Sequence, residues 1–124
     1  MITRRKFAIS LAALPLGLSP ITAARAEGYP ARPIRIVVPF PAGGSTDVGA
    51  RLIANYLSGS LGQQIYVENR SGANGTIGVE IVAKSVPDGY TMLATIDAVA
   101  SNQFVFNTNI DPVKDLVPII EVSR

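Results

Sequence analysis

Between Ile34 and Thr95 the sequence switches back and forth between two hydrophobic periods, and that alternation leaves few folds open. Ile34–Pro39 (IRIVVP) is a continuous β-branched run, the pattern of a strand buried on both faces of a parallel sheet. Phe40–Ser45 (FPAGGS) is a Pro/Gly loop, and Thr46 and Asp47 are expected to cap the helix that follows. From Val48 to Leu61 the period is helical. Arg51, Asn55 and Ser58 fall in one narrow sector, with Val48, Leu52, Ile53, Tyr56 and Leu57 on the opposite, apolar side. Gly62 follows as a C-cap.

The cycle then repeats. Ile65–Glu68 (IYVE) reads as a strand, Asn69–Gly75 (NRSGANG) as a turn-rich loop and Thr76–Val86 as a second helix. Ile77, Ile81 and Val82 mark that helix's apolar side, and Glu80 with Lys84 forms an (i, i+4) pair in the favourable order. Pro87-Asp88-Gly89 is a turn, in which the Asp carboxylate can bond the backbone two residues on. Tyr90–Thr95 reads as a third strand and residues 97–106 as a short helix. Asp111 starts a turn, and Leu116–Val122 reads as a further strand that Pro118 places at an edge or a bend.

The order β-α-β-α-β implies an α/β fold with a parallel sheet and right-handed crossovers. With 124 residues there is room for one domain at most, and these elements make about half of a doubly wound one. Hydrophobic residues are 48% and charged residues 16%, which excludes a disordered chain. The sequence has no histidine and no cysteine. That excludes a Ser-His-Asp triad, a cysteine nucleophile and a His/Cys zinc site. No spacing suits another metal, and no cofactor is expected.

The net charge of +2 comes from the N-terminus. Arg4, Arg5, Lys6 and Arg25 lie in the first 26 residues, which hold no acid. Of the eleven basic groups seven remain beyond residue 26, against all nine acidic ones, so a basic nucleic-acid-binding face is not expected. A charged start (ITRRK), an apolar stretch from Phe7 to Leu18 and the small residues of Ala24-Arg25-Ala26 form the three parts of a secretory signal. Cleavage is expected between Ala26 and Glu27, which would deliver the chain to the periplasm. Thr3-Arg4-Arg5-Lys6-Phe7 also fits the twin-arginine variant.

Three segments could carry chemistry. Phe40–Asp47 (FPAGGSTD) follows the first strand and opens the first helix, at the sheet edge where open α/β folds bind ligands. Gly43 and Gly44 allow close approach of backbone N–H groups to an anion, and Ser45 and Thr46 add hydroxyl donors. The loop matches neither GxxxxGK[ST] nor GxGxxG, so a carboxylate or a single phosphate is a better ligand than a nucleotide. Asp47 argues against a polyphosphate. Glu68–Gly75 (ENRSGANG) carries Arg70, for which pairing with Glu68 is the simpler reading. Thr95-Ile96-Asp97-Ala98 with Ser101 and Asn102, after the third strand, is a weaker candidate (Thr95, Asp97 and Ser101 above all), with Asp97 more suited to capping the next helix.

Four ordered stretches resemble one family. They are Tyr29–Gly44 (YPARPIRIVVPFPAGG) with Thr46-Asp47, Val67–Gly78 (VENRSGANGTIG), Ala83–Leu93 (AKSVPDGYTML) and Asp111–Pro118 (DPVKDLVP). They are similar to the Bug-type extracytoplasmic solute receptors of tripartite tricarboxylate transporters. The resemblance implies a two-domain, type II periplasmic-binding-protein fold with a small carboxylate held between the domains. It implies that residues 27–110 are the first part of domain 1 and 111–124 the start of the crossover toward a second domain. It also implies that the first loop holds the ligand carboxylate through backbone groups and bridging waters. That role falls on Phe40, Ala42, Gly43, Gly44, Ser45, Thr46 and Asp47. Membrane subunits of the transporter are the implied partners.

Relatives commonly carry a Gly/Ser/Thr-rich segment after the third strand, which here is Ala94–Ala100 (ATIDAVA). Three functional readings follow. The first is a carboxylate receptor present as an N-terminal fragment. The second is a truncated remnant or a periplasmic interaction domain. The third is a small enzyme using Gly43-Gly44 as an anion hole, with activity dependent on Thr46 or Asp47; it ranks last because no base or nucleophile is evident.

Overall fold

The centre of the structure, a computed structural model describing residues 28–105 and 110–122, is a parallel sheet ordered β2-β1-β3. β1 spans Ile34–Val38, β2 Ile65–Asn69 and β3 Thr91–Leu93. Ile34 lies opposite Ile65 and Val38 opposite Asn69 on one side, and Arg35 opposite Thr91 on the other. The expected export signal, with its cleavage site at Ala26 and Glu27, lies outside the described residues.

A middle strand has both edges paired and both faces covered, which is why β1 is almost all Ile and Val. Ile34, Ile36 and Val38 join Ala50, Ala54 and Ile65 in one core cluster, while Val37, on the other face, is completely buried. Burying each such side chain contributes about 1.5–3 kcal/mol. A second cluster of Val79, Val99 and Ile110 lies apart from the first. Helix α1 (Ser45–Leu61) supplies Ala50 and Ala54 to the first cluster. Helices α2 (Thr76–Ala83) and α3 (Ala98–Val105) supply Val79 and Val99 to the second. Phe40, just past β1, packs against both. A four-residue helix α4 (Pro112–Asp115) follows, capped by the Asp111 carboxylate, which accepts from Val113 N–H at 3.1 Å.

Several expectations are corrected. The packed face of α1 is the small-residue face, with Asp47, Ala50 and Ala54 buried. Val48, Leu52 and Tyr56, from the expected apolar side, are exposed. Close packing against the sheet selects alanine, because small side chains let the helix backbone approach the strands. The same occurs in α2, where Gly78 and Val79 are buried and Ile77 is largely exposed. α2 also ends at Ala83 rather than Val86, and β3 is shorter than Tyr90–Thr95.

The expected strand at Leu116–Val122 does not form. Leu116 packs on the second cluster, but Val117, Ile119, Ile120 and Val122 are exposed and no strand pairs with them among the described residues. Pro118 offers no N–H for a ladder, and the segment has no face to bury.

The opposite edge of the sheet is tied locally. Arg32 lies 4.0 Å over the Tyr90 ring and pairs with Asp88 at 2.6 Å. Tyr29 O–H donates to Gly89 carbonyl at 2.7 Å. The Asp88 carboxylate accepts from Tyr90 N–H at 3.0 Å, the bond expected of that turn.

Candidate anion-binding loop

All three strands run parallel, so the loops after β1, β2 and β3 emerge at one edge. The sheet order reverses about β1, with α1 on one face and α2 on the other. In doubly wound folds ligands bind beside such a reversal, which here falls between the loops after β1 and β3.

The loop after β1 leads straight into α1. Thr46 and Asp47 do not cap the helix. Gly44 is the N-cap residue and has no side chain to do so, while Ser45, Thr46 and Asp47 form the first turn. The first helical bond runs from Val48 N–H to Gly44 carbonyl at 2.9 Å. The N–H groups of Ser45, Thr46 and Asp47 thus precede the helical ladder, at the positive end of the helix dipole. Ala42, Gly43, Gly44 and Ser45 are exposed, Thr46 is half-buried, and the Phe40 ring packs beneath. Gly43 has φ +85°, a conformation that side-chain-bearing residues rarely adopt.

Asp47 differs from its neighbours because it is buried. Its Oδ2 accepts from Gly43 N–H at 2.8 Å and from Arg51 Nε at 3.0 Å. Its Oδ1 accepts from Asn69 Nδ2 at 2.9 Å and lies 3.0 Å from Arg51 Nη2 as an ion pair. Asn69, the last residue of β2, also donates to Phe40 carbonyl at 3.1 Å and accepts from Arg51 Nη2 at 3.0 Å. One polar cluster therefore ties the first loop to the second strand. A carboxylate so occupied is not available as a general base.

The Arg51 hydrogen bond, with those from Gly43 N–H and Asn69, holds the Asp47 carboxyl far below its ordinary value of 3.8, against the opposing effect of burial. A carboxyl whose pKa is lower folded than unfolded contributes stability above the unfolded value and loses it as pH falls. The contribution is therefore constant from neutrality down to about pH 4 and declines with further acidification. Urea midpoints measured across this range are expected to fall less steeply below about pH 4 in Asp47→Asn than in the wild type. Equal slopes would place the acid sensitivity elsewhere.

The loop after β2 contains four successive residues at positive φ, from Gly72 to Gly75. Ala73 and Asn74 hold this conformation at about 1–2 kcal/mol each. Asn74 Nδ2 donates to Asn102 Oδ1 at 3.0 Å, and Asn102 Nδ2 donates to Asn74 carbonyl at 2.7 Å. Buried Asn102 thereby anchors the second loop to α3. Arg70 Nε donates to Glu68 at 2.6 Å, the pairing expected from the sequence. Thr95, Asp97 and Ser101 lie exposed around the start of α3, and Ala100 N–H bonds the Asp97 backbone carbonyl at 2.9 Å. Among the described residues, no group of three or more acidic, His or Cys side chains could hold a metal ion.

Sequence reasoning placed Asn69 and Asn102 in candidate segments without seeing their bonding roles, and it missed the role of Arg51. The Asp47–Arg51 spacing of four was a visible signal of a helical ion pair. The two asparagines depend on pairings across 22 and 28 residues.

The family described as "Tripartite tricarboxylate transporter family receptor" matches residues 49–124. The chain is 60% identical to Protein BugT of Bordetella pertussis over 68 residues, which is 55% of this chain and 21% of that protein. The structure of the periplasmic binding protein BugD aligns at 52% identity and a TM-score of 0.51, covering 52% of this chain and 22% of that one. MatC (Rpa3494) from Rhodopseudomonas palustris with bound malate aligns at 46% identity and 0.51, with the same coverage. The aligned part of the chain thus covers about a fifth of the length of each of these three proteins.

Proposed function

Because the chain belongs to the tripartite tricarboxylate transporter receptor family, we propose that it is part of a periplasmic receptor for a small carboxylate and that residues 40–47 hold the carboxylate group. The observation that carries this reading is the uncapped start of α1. Its free N–H groups open at the sheet's carboxyl edge, while the Asp47 carboxylate is bonded to Arg51, Asn69 and Gly43. Gly44, Ser45 and Thr46 act through backbone N–H groups, and the hydroxyls of Ser45 and Thr46 supply further donors. Ala42 and Phe40 shape the loop. Thr95, Asp97 and Ser101 are exposed after β3, at the same sheet edge, and are weaker candidates for ligand contact. The family relationship and the malate bound by MatC support a small carboxylate as cargo, delivered to membrane subunits of the transporter. The charged start, apolar stretch and Ala24-Arg25-Ala26 expected to form an export signal support a periplasmic location.

Gly44→Val tests the assignment. Gly44 has φ −73° and ψ 167°, an ordinary extended conformation, and an added Cβ would meet only Pro41 carbonyl, at 3.5 Å. The fold therefore tolerates a side chain that crowds the anion position. In a malate titration followed by the amide resonances of residues 43–47, the variant is expected to bind at least about tenfold more weakly while remaining folded, with stability lowered by no more than about 1 kcal/mol for valine at the N-cap. Undiminished binding, or a wild type in which these resonances do not respond, would sink the reading.

A further inference from the structure

A carboxylate belonging to the protein sits inside the loop assigned to an incoming carboxylate. Asp47 is bonded to Gly43 N–H, immediately beside the N–H groups that remain free. An unmasked Asp47 would repel the ligand at short range. Arg51 lies one helical turn on and grips both Asp47 oxygens, Nε on Oδ2 and Nη2 on Oδ1, each at 3.0 Å. The planar guanidinium suits this two-point contact. Asn69 completes the set at 2.9 Å, leaving both Asp47 oxygens bonded to donors.

We propose that Arg51 is a positioning residue of the anion site that masks the Asp47 charge, so that the loop presents only donors to a bound carboxylate. The proposal rests on the carboxylate-binding reading of residues 40–47. Arg51 does not touch the ligand; it acts through Asp47. A purely structural Arg51 would lower stability when removed, and removing the Asp47 charge as well would do nothing to repair binding. A masking Arg51 is needed only while Asp47 is charged.

The test is a two-residue cycle on the chain, with malate as the probe, amide resonances of residues 43–47 as the binding readout and thermal unfolding as the stability readout. Arg51→Gln is expected to weaken malate binding about tenfold. Adding Asp47→Asn to it is expected to bring affinity back to within about threefold of the wild type, whatever happens to stability. Arg51→Gln within about twofold of the wild type, or a double variant as weak as the single one, overturns the proposal. Should Arg51→Gln fail to fold, Asp47→Asn alone decides. With Arg51 left uncompensated, malate should bind about threefold tighter or more, and weaker binding overturns the proposal. A wild-type chain whose 43–47 resonances ignore malate fails the carboxylate reading and this proposal together. A responsive wild type with the wrong variant pattern fails this proposal alone.

Discussion

Replacing Gly78 with valine is expected to destabilise the fold by about 3 kcal/mol or more. α2 crosses the end of β1 at this residue. A Cβ built there would lie 2.7 Å from Pro39 Cβ, 2.9 Å from Pro39 Cα and 3.0 Å from Arg70 carbonyl. Two of these three atoms are backbone, so no side-chain rotation relieves the contact, and Pro39 is itself fully buried. The helix would have to lift, uncovering Val79 and the second cluster. Gly49, in α1, is the control. Its added Cβ meets nothing within 4 Å, so Gly49→Ala should stabilise by about 0.5–1 kcal/mol through helix propensity and reduced freedom of the unfolded chain. Urea midpoints of the two variants should move in opposite directions. If Gly78→Val is as stable as the wild type, the close approach of α2 to Pro39 is wrong.

Asn69→Leu is expected to cost about 2 kcal/mol and to loosen the loop after β1. Leucine keeps the volume and discards three hydrogen bonds: to Phe40 carbonyl, to Asp47 and from Arg51. The Asp47 carboxylate would lose one donor in a buried position. The loss should appear as a lowered urea midpoint and as faster hydrogen exchange at Gly43, whose N–H is held by Asp47. An unchanged midpoint together with unchanged Gly43 exchange would show that the cluster does not hold the loop.

Much of this architecture can be read from local pattern. A strand at Ile34–Val38, helices after each Gly-bearing loop, the Asp88 turn and the Glu80–Lys84 pair depend on residues close in sequence. The loop at 40–47 is visible for the same reason, since a Gly pair between a β-branched run and a helical period marks a strand-to-helix junction. The helix faces were misread because periodicity weights large apolar residues, whereas the sheet packs on Ala50, Ala54 and Gly78. The strand expected at Leu116–Val122 failed because composition alone cannot supply a partner edge.

The sequence by itself determined the alternation of elements, the parallel sheet it demands and the chemical character of the first loop, because these follow from periods and turn residues spanning a few positions. Only the tertiary structure decided which side of each helix is buried and what becomes of the Asp47 charge. Both depend on groups far apart in the chain, the sheet face beneath α1 and the Asn69 amide at the end of β2. Their contacts exist only once the strands have paired in register.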